Sequence, residues 1–147
     1  MYNIHIYITL CVPITLGCYK TGAALAAHCA IDFFDQKAIQ PMFVYTYGQP
    51  RVGNQQFANY YNSNIKIHYR VTHRKDPVPH VPTEDMGFYH MMEEIFYPKN
   101  PNETYIVCSE SGEQSNCSDQ YLVDLDIYDH LDYMGFDFTT NYLSCKV

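Results

Sequence analysis

Tryptophan is missing from this 147-residue chain, and basic residues are scarce, 9 Lys and Arg against 16 Asp and Glu. The net charge of -7 and a pI near 5.3 argue against a surface built to grip nucleic-acid phosphates. Glycine and proline, at 7 and 8, are too few for collagen-like or low-complexity chains. No C-x-x-C or H-E-x-x-H pattern occurs, so neither a structural zinc site nor another metal centre is expected. Gly17-x4-Gly22 is followed by Ala23-Ala24 rather than Lys-Ser/Thr, which rules out a P-loop. No cofactor is expected. Serine is absent until Ser63.

What is present is aromatic and sulfur-rich, with 15 Tyr and 6 Cys. The length suits one domain spanning residues 1–147. Acidic residues crowd the end: Glu110, Glu113, Asp119, Asp124, Asp126, Asp129, Asp132 and Asp137 fall with no Lys or Arg between them. Asp124, Asp126 and Asp129 raise a calcium reading, but the stretch lacks the Gly and terminal Glu of an EF-hand, and a solvated acidic face is expected.

The apolar run Ile4–Leu16, followed by Ala24-Leu25-Ala26, resembles a signal peptide, yet no Lys or Arg precedes it and Pro13 interrupts it. It is too short to span a bilayer. Ile4-His5-Ile6-Tyr7-Ile8 reads instead as a strand. A helix is predicted from Thr21 to Asp35, with Leu25, Cys29 and Phe33 along one face. Met42–Tyr47 and Ile65–Thr72 read as further strands, with an Asn54-capped helix between them. Glu94–Tyr97 and Thr104–Cys108 suggest a later β-ribbon. The first half is thus β-α-β-α-β, an α/β pattern with a parallel sheet.

Such sheets carry their sites at the carboxyl ends of strands. After Thr72 runs His73-Arg74-Lys75-Asp76-Pro77-Val78-Pro79-His80-Val81-Pro82, where Asp76 is either a partner for a histidine or a simple turn residue. His130, among acids, suits general-base work. His80 and His90 remain chemically open, whereas His28 and His68 read as surface or packing residues.

Taken together, Ile6–Thr9, Gly22–Ala26, Val44–Asn54 (VYTYGQPRVGN), His73–Pro82 (HRKDPVPHVP) and His130 resemble the fungal-type class 3 lipases, particularly their nematode members. The resemblance implies a partial α/β-hydrolase fold, the carboxyl-terminal half of the central mostly parallel sheet with flanking helices. Strands and a lid would precede it in the family. It also implies acylglycerol ester hydrolysis by a Ser-Asp-His triad, a lipid or ester substrate, and an extracellular setting. Asp76 matches the triad acid and His130 the triad base.

At the family's nucleophile elbow, G-H-S-L-G, this chain has Cys18-Tyr19-Lys20-Thr21-Gly22. Lys20 therefore falls in the serine slot, and the Thr21 backbone N–H is the oxyanion-hole donor that the resemblance implies. A lysine is a poor substitute for serine in acyl transfer to water. With Ile6–Thr9 aligned as the family strand, Leu10 to Lys20 becomes an anomalous insert, either a misjoined stretch or a genuine divergence. Hydrolysis is then expected to be lost, and the alternative function is a non-catalytic domain that binds lipid or a partner. A thiol enzyme using Cys18 is disfavoured because Cys18 lies two residues before the nucleophile slot. The resemblance further implies a Cys108–Cys117 disulfide and an unpaired Cys145. Cys29 reads as a buried thiol, and Asn102 and Asn116 begin glycosylation sequons.

Overall fold

The computed structural model describes residues 15–37, 43–99, 104–109 and 112–141. Ile4–Thr9, Cys11, Asn102 and Cys145 lie outside the described residues. Strands β1 (Thr15–Tyr19), β2 (Phe43–Tyr47), β3 (His68–His73), β4 (Glu93–Tyr97) and β5 (Ile106–Val107) form one sheet in that spatial order. The first four are parallel, and β5 returns antiparallel to β4. Helix α1 (Thr21–Lys37) joins β1 to β2, and α2 (Gln55–Asn64) joins β2 to β3. Short α3 (Ile127–His130), the two-stranded ribbon β6 (Asp132–Tyr133) and β7 (Phe136–Asp137), and α4 (Phe138–Asn141) end the described chain.

The strand entering α1 lies elsewhere than expected. It is Thr15–Tyr19, inside the stretch read as an insert, with Leu16 opposite Val44 and Tyr19 opposite Tyr47. The strand's own sequence, TLGCY, carries weak β signals, and the stronger alternation at Ile4–Ile8 drew the expectation upstream. Pairing with an interior strand outweighs local propensity here.

Helix α1 turns a different stripe inward as well. Leu25 is 48% exposed and Cys29 only half-buried, while Ala23, Ala26, Ala27, Ala30 and Ile31 are buried. Alanine allows close approach of the helix to the sheet. Leu16, Val44, Ala58, Tyr61, Ile65 and Met91 complete this core. Asn54 caps α2 as expected, its side chain accepting from the Phe57 N–H at 2.9 Å. Ile65 ends α2 by donating to the Tyr61 carbonyl at 2.8 Å, so β3 starts later than its alternation suggested.

The acidic stretch is divided among separate tasks. Asp124 pairs with Lys75 at 2.5 Å, Asp126 caps α3 through the Tyr128 N–H, and buried Asp129 faces Arg74 at 3.3 Å. These carboxylates do not converge on one cation position. Cys108 and Cys117 are disulfide-bonded. Among the described residues, no helix is long and apolar enough to cross a membrane.

Candidate active site

At the end of β1 the chain reverses into α1 through one residue, Lys20, at φ 56°. Its N–H donates to the Tyr47 carbonyl at 2.9 Å, and its carbonyl accepts from Ala23 at 3.0 Å. A non-glycine residue in the left-handed region costs on the order of 1 kcal/mol or more and persists only where neighbours impose it. Here β1–β2 pairing and the first turn of α1 impose it together. A Cβ placed on Gly22 would meet Cys18 at 3.7 Å, so Cys18 and Gly22 fit the tight turn without a clash. Lys20 and Thr21 are exposed at its tip.

Asp76 lies on the loop after β3, 1% exposed. Its Oδ1 accepts from the Val78 N–H at 2.8 Å, and its Oδ2 accepts from His130 Nδ1 at 2.9 Å. The turn role and the histidine-partner role, left open by the sequence, are filled by different oxygens of one carboxylate. Tyr133 Oη donates to the same Oδ2. Burial, and then the Asp76 charge, push the Tyr133 phenol well above its ordinary value, so it stays a donor.

His130 is fully buried at the carboxyl end of α3. Tyr19 stacks on its ring at 4.9 Å and donates its hydroxyl to the His130 carbonyl. With Nδ1 held by Asp76, Nε2 is left with no partner in the protein. Such an atom calls for a physical reason, and beside Asp76 an acid–base role for the ring supplies one.

The other described histidines are placed differently, and His73 Nε2 and both ring nitrogens of His80 are also buried without a hydrogen-bond partner. His68 lies 2.9 Å from both Thr46 Oγ1 and Tyr61 Oη, and burial, followed by the Arg70 charge, pushes it down to about 3. His80 faces Asp119 at 3.3 Å, and His90 donates to the Pro79 carbonyl at 2.7 Å. His28 is exposed on α1, tilted against Phe57.

Sequence reasoning did not single out Tyr19, Gly48 or Tyr133. Gly48, at φ 54°, lies so close that a Cβ would sit 3.0 Å from Asp76 Oδ2, 3.1 Å from Tyr133 Oη and 3.2 Å from His130 Cε1. Its place directly after β2 was the available signal. Tyr133, three residues beyond His130, left none. Among the described residues, the one cluster with metal-ligand spacing is Glu94, Cys108 and Cys117, whose sulfurs are already bonded to each other.

A family model described as lipase (class 3) matches residues 13–86. That match runs through most of the stretch read as an insert, in agreement with the strand found there. A lipase of Rhizomucor miehei is 37% identical over 122 residues, covering 81% of this chain and 34% of that protein. A lipase of Caenorhabditis elegans is 30% identical, covering 81% and 43% respectively. The solved Rhizomucor miehei triacylglyceride lipase superposes with a TM-score of 0.80 at 34% identity, over 85% of this chain and 48% of that one. A triacylglycerol lipase whose catalytic centre is formed by a serine protease triad also superposes at 0.80, with 35% identity and the same coverage. The chain thus spans about a third of the length of the first curated relatives.

Proposed function

The chain belongs to the class 3 lipase family, and from that premise we propose that it is a lipase-like α/β-hydrolase unit. In our reading it keeps the acid–base half of a hydrolytic triad and does not hydrolyse esters. Asp76 and His130 are its acid and base, and Lys20 occupies the nucleophile position. The observation that carries this reading is the strained φ of 56° at Lys20, the residue between β1 and α1, combined with the bare Nε2 of His130.

A triad needs an oxygen or sulfur that gives its proton to Nε2, attacks the ester carbonyl and later leaves to water. An amine at that position forms an amide on attack, and an amide does not release its acyl group to water at a useful rate. Loss of a triad nucleophile costs on the order of 10⁶ in kcat. The Thr21 N–H, first on α1, would serve as an oxyanion donor in an active relative of this geometry. The acyl-ester chemistry of the family sets the ligand class: a lipid or ester whose polar end reaches the β1–α1 turn. An extracellular setting fits a secreted mono- and diacylglycerol lipase of Fusarium solani, 36% identical over 97 residues, and the disulfide.

The test is hydrolysis of p-nitrophenyl octanoate by the chain and by its His130→Ala variant. Both should release nitrophenol at the rate of buffer. Turnover by the unaltered chain that disappears in His130→Ala would sink the proposal. Activity appearing in Cys18→Gly/Tyr19→His/Lys20→Ser would assign the loss to the elbow. Saturable binding of an intact ester by the inactive chain favours the binding-domain alternative over a merely disabled hydrolase.

A further inference from the structure

We infer that Asn116 is an acceptor for an N-linked glycan, open to transfer only until Cys108 and Cys117 join. The inference rests on the proposed extracellular setting, because glycan transfer and disulfide closure both belong to the secretory compartment.

Asn116, Cys117 and Ser118 form the acceptor pattern Asn-x-Ser, in which the asparagine amide and the serine hydroxyl must be reached together. The fold treats the two ends of this tripeptide differently. Asn116 is exposed, its Oδ1 accepts from Gln114 Nε2 at 2.5 Å, and its Nδ2 has no partner among the described residues. Cys117 is 0% exposed and Ser118 only 5%. The Cys117 N–H donates to the Gln114 carbonyl at 2.9 Å, and the Ser118 N–H donates to Oε1 of buried Glu94 at 3.2 Å. Ser118 also opens the short helical turn Ser118–Tyr121. The finished fold therefore accommodates a glycan on Asn116 but no longer presents the pattern that receives one.

The middle residue sets the timing. Cys117 pairs with Cys108 nine positions upstream, and a loop that short closes at little entropic cost. Disulfide formation takes seconds to hours, depending on the oxidant. Closure and glycan transfer thus compete for one segment of the new chain. Transfer first leaves both products compatible, since Asn116 stays exposed in the disulfide-bonded fold. Closure first fixes Cys117 and holds Ser118 against Glu94 of β4.

In the transfer, Nδ2 of Asn116 bonds to the anomeric carbon of a glycan carried on a polyprenyl diphosphate. The bond from that carbon to the diphosphate oxygen breaks, and the amide gives one proton to solvent. No electrons are exchanged, and neither cysteine is consumed.

The experiment translates the chain behind a cleavable secretory leader into endoplasmic-reticulum microsomes. Glycan at Asn116 is counted by mass spectrometry after peptide N-glycosidase digestion, on leader-cleaved chains alone. The ratio of modified to unmodified Asn116 should rise about threefold or more in Cys108→Ser, because removing the partner thiol removes the competing reaction. Dithiothreitol should raise the unaltered chain to the same ratio. Asp76→Ala, which loosens the fold at another place, should leave the ratio where it was. Absence of glycan at Asn116 in both the unaltered and the Cys108→Ser chains overturns the inference, as does an equal ratio in the two. A rise in Asp76→Ala matching that in Cys108→Ser also overturns it, since general unfolding would then govern transfer. Detection of the chain outside the cells that make it reports separately on the extracellular setting, so the two can fail independently.

Discussion

The β1–α1 elbow and the Asp76–His130–Tyr133 corner meet across one stacked pair of rings, yet they have fared differently. The corner is buried, and each of its polar atoms except Nε2 of His130 is tied to a neighbour. The tip of the elbow, Lys20 and Thr21, is exposed, and the Lys20 backbone is held by hydrogen bonds to Tyr47 and Ala23 rather than through its side chain. Strain at Lys20 is therefore inherited from the fold, whereas among the described residues no polar partner constrains its side chain. A buried hydrogen-bonded corner resists change because each loss strands a partner. A solvent-facing turn resists only changes of backbone.

The sharpest way to break this contrast is to empty the corner. Asp76→Ala strands the donors of His130, Tyr133 and Val78 and should cost about 3 kcal/mol or more, since each buried unsatisfied group costs roughly 1–3 kcal/mol. The urea midpoint should fall at constant slope. A loss below 1 kcal/mol would mean the corner is wetter than its burial indicates.

Acid separates the histidines next. His68 is held neutral, with a folded value near 3 against an ordinary 6.5, and His90 is displaced the same way by burial and by Arg70 and Arg51. The stability they contribute is complete above pH 6.5 and is lost as pH falls toward 3. Urea midpoints from pH 7 to 4.5 should drop on the order of 1.4 kcal/mol per unit for His68 alone. His68→Gln should flatten that slope, and an unchanged slope would remove His68 as its source.

Gly48→Ala comes third, at roughly 1–3 kcal/mol, because the new Cβ meets Asp76, Tyr133 and His130 at 3.0–3.2 Å in a left-handed backbone. Tyr133→Phe should cost about 1 kcal/mol, the net worth of one buried hydrogen bond. At the elbow the sign reverses. Lys20→Gly should stabilise the chain by about 1 kcal/mol or less, from relief of φ 56° set against glycine's extra freedom when unfolded. Thermal denaturation reads all three. Destabilisation by Lys20→Gly would show that the lysine side chain supports the fold after all.

Much of this molecule was legible before its fold was known. Asp76 announced itself through Asp-Pro chemistry after a strand, and His130 through its acidic surroundings. Asn54 was readable as a cap because capping is local. The entry strand was misread since Thr15–Tyr19 is a strand by pairing with β2 rather than by its own propensity. The inward stripe of α1 was misread because alanines, not Leu25, permit close contact with the sheet.

Local chemistry thus determined the α/β class and most of the element order, and it marked Asp76 and His130 as candidates whose acid and base roles the family resemblance implies, since caps, turns and alternation act over a few residues. Only the tertiary structure decided that Gly48, Tyr19 and Tyr133 enclose Asp76 and His130, a contact that spans 111 residues between Tyr19 and His130. It also decided that, of the polar side-chain atoms of Asp76, His130 and Tyr133, only Nε2 stays bare. Which atoms are satisfied depends on neighbours brought together by the sheet, and no local pattern records them.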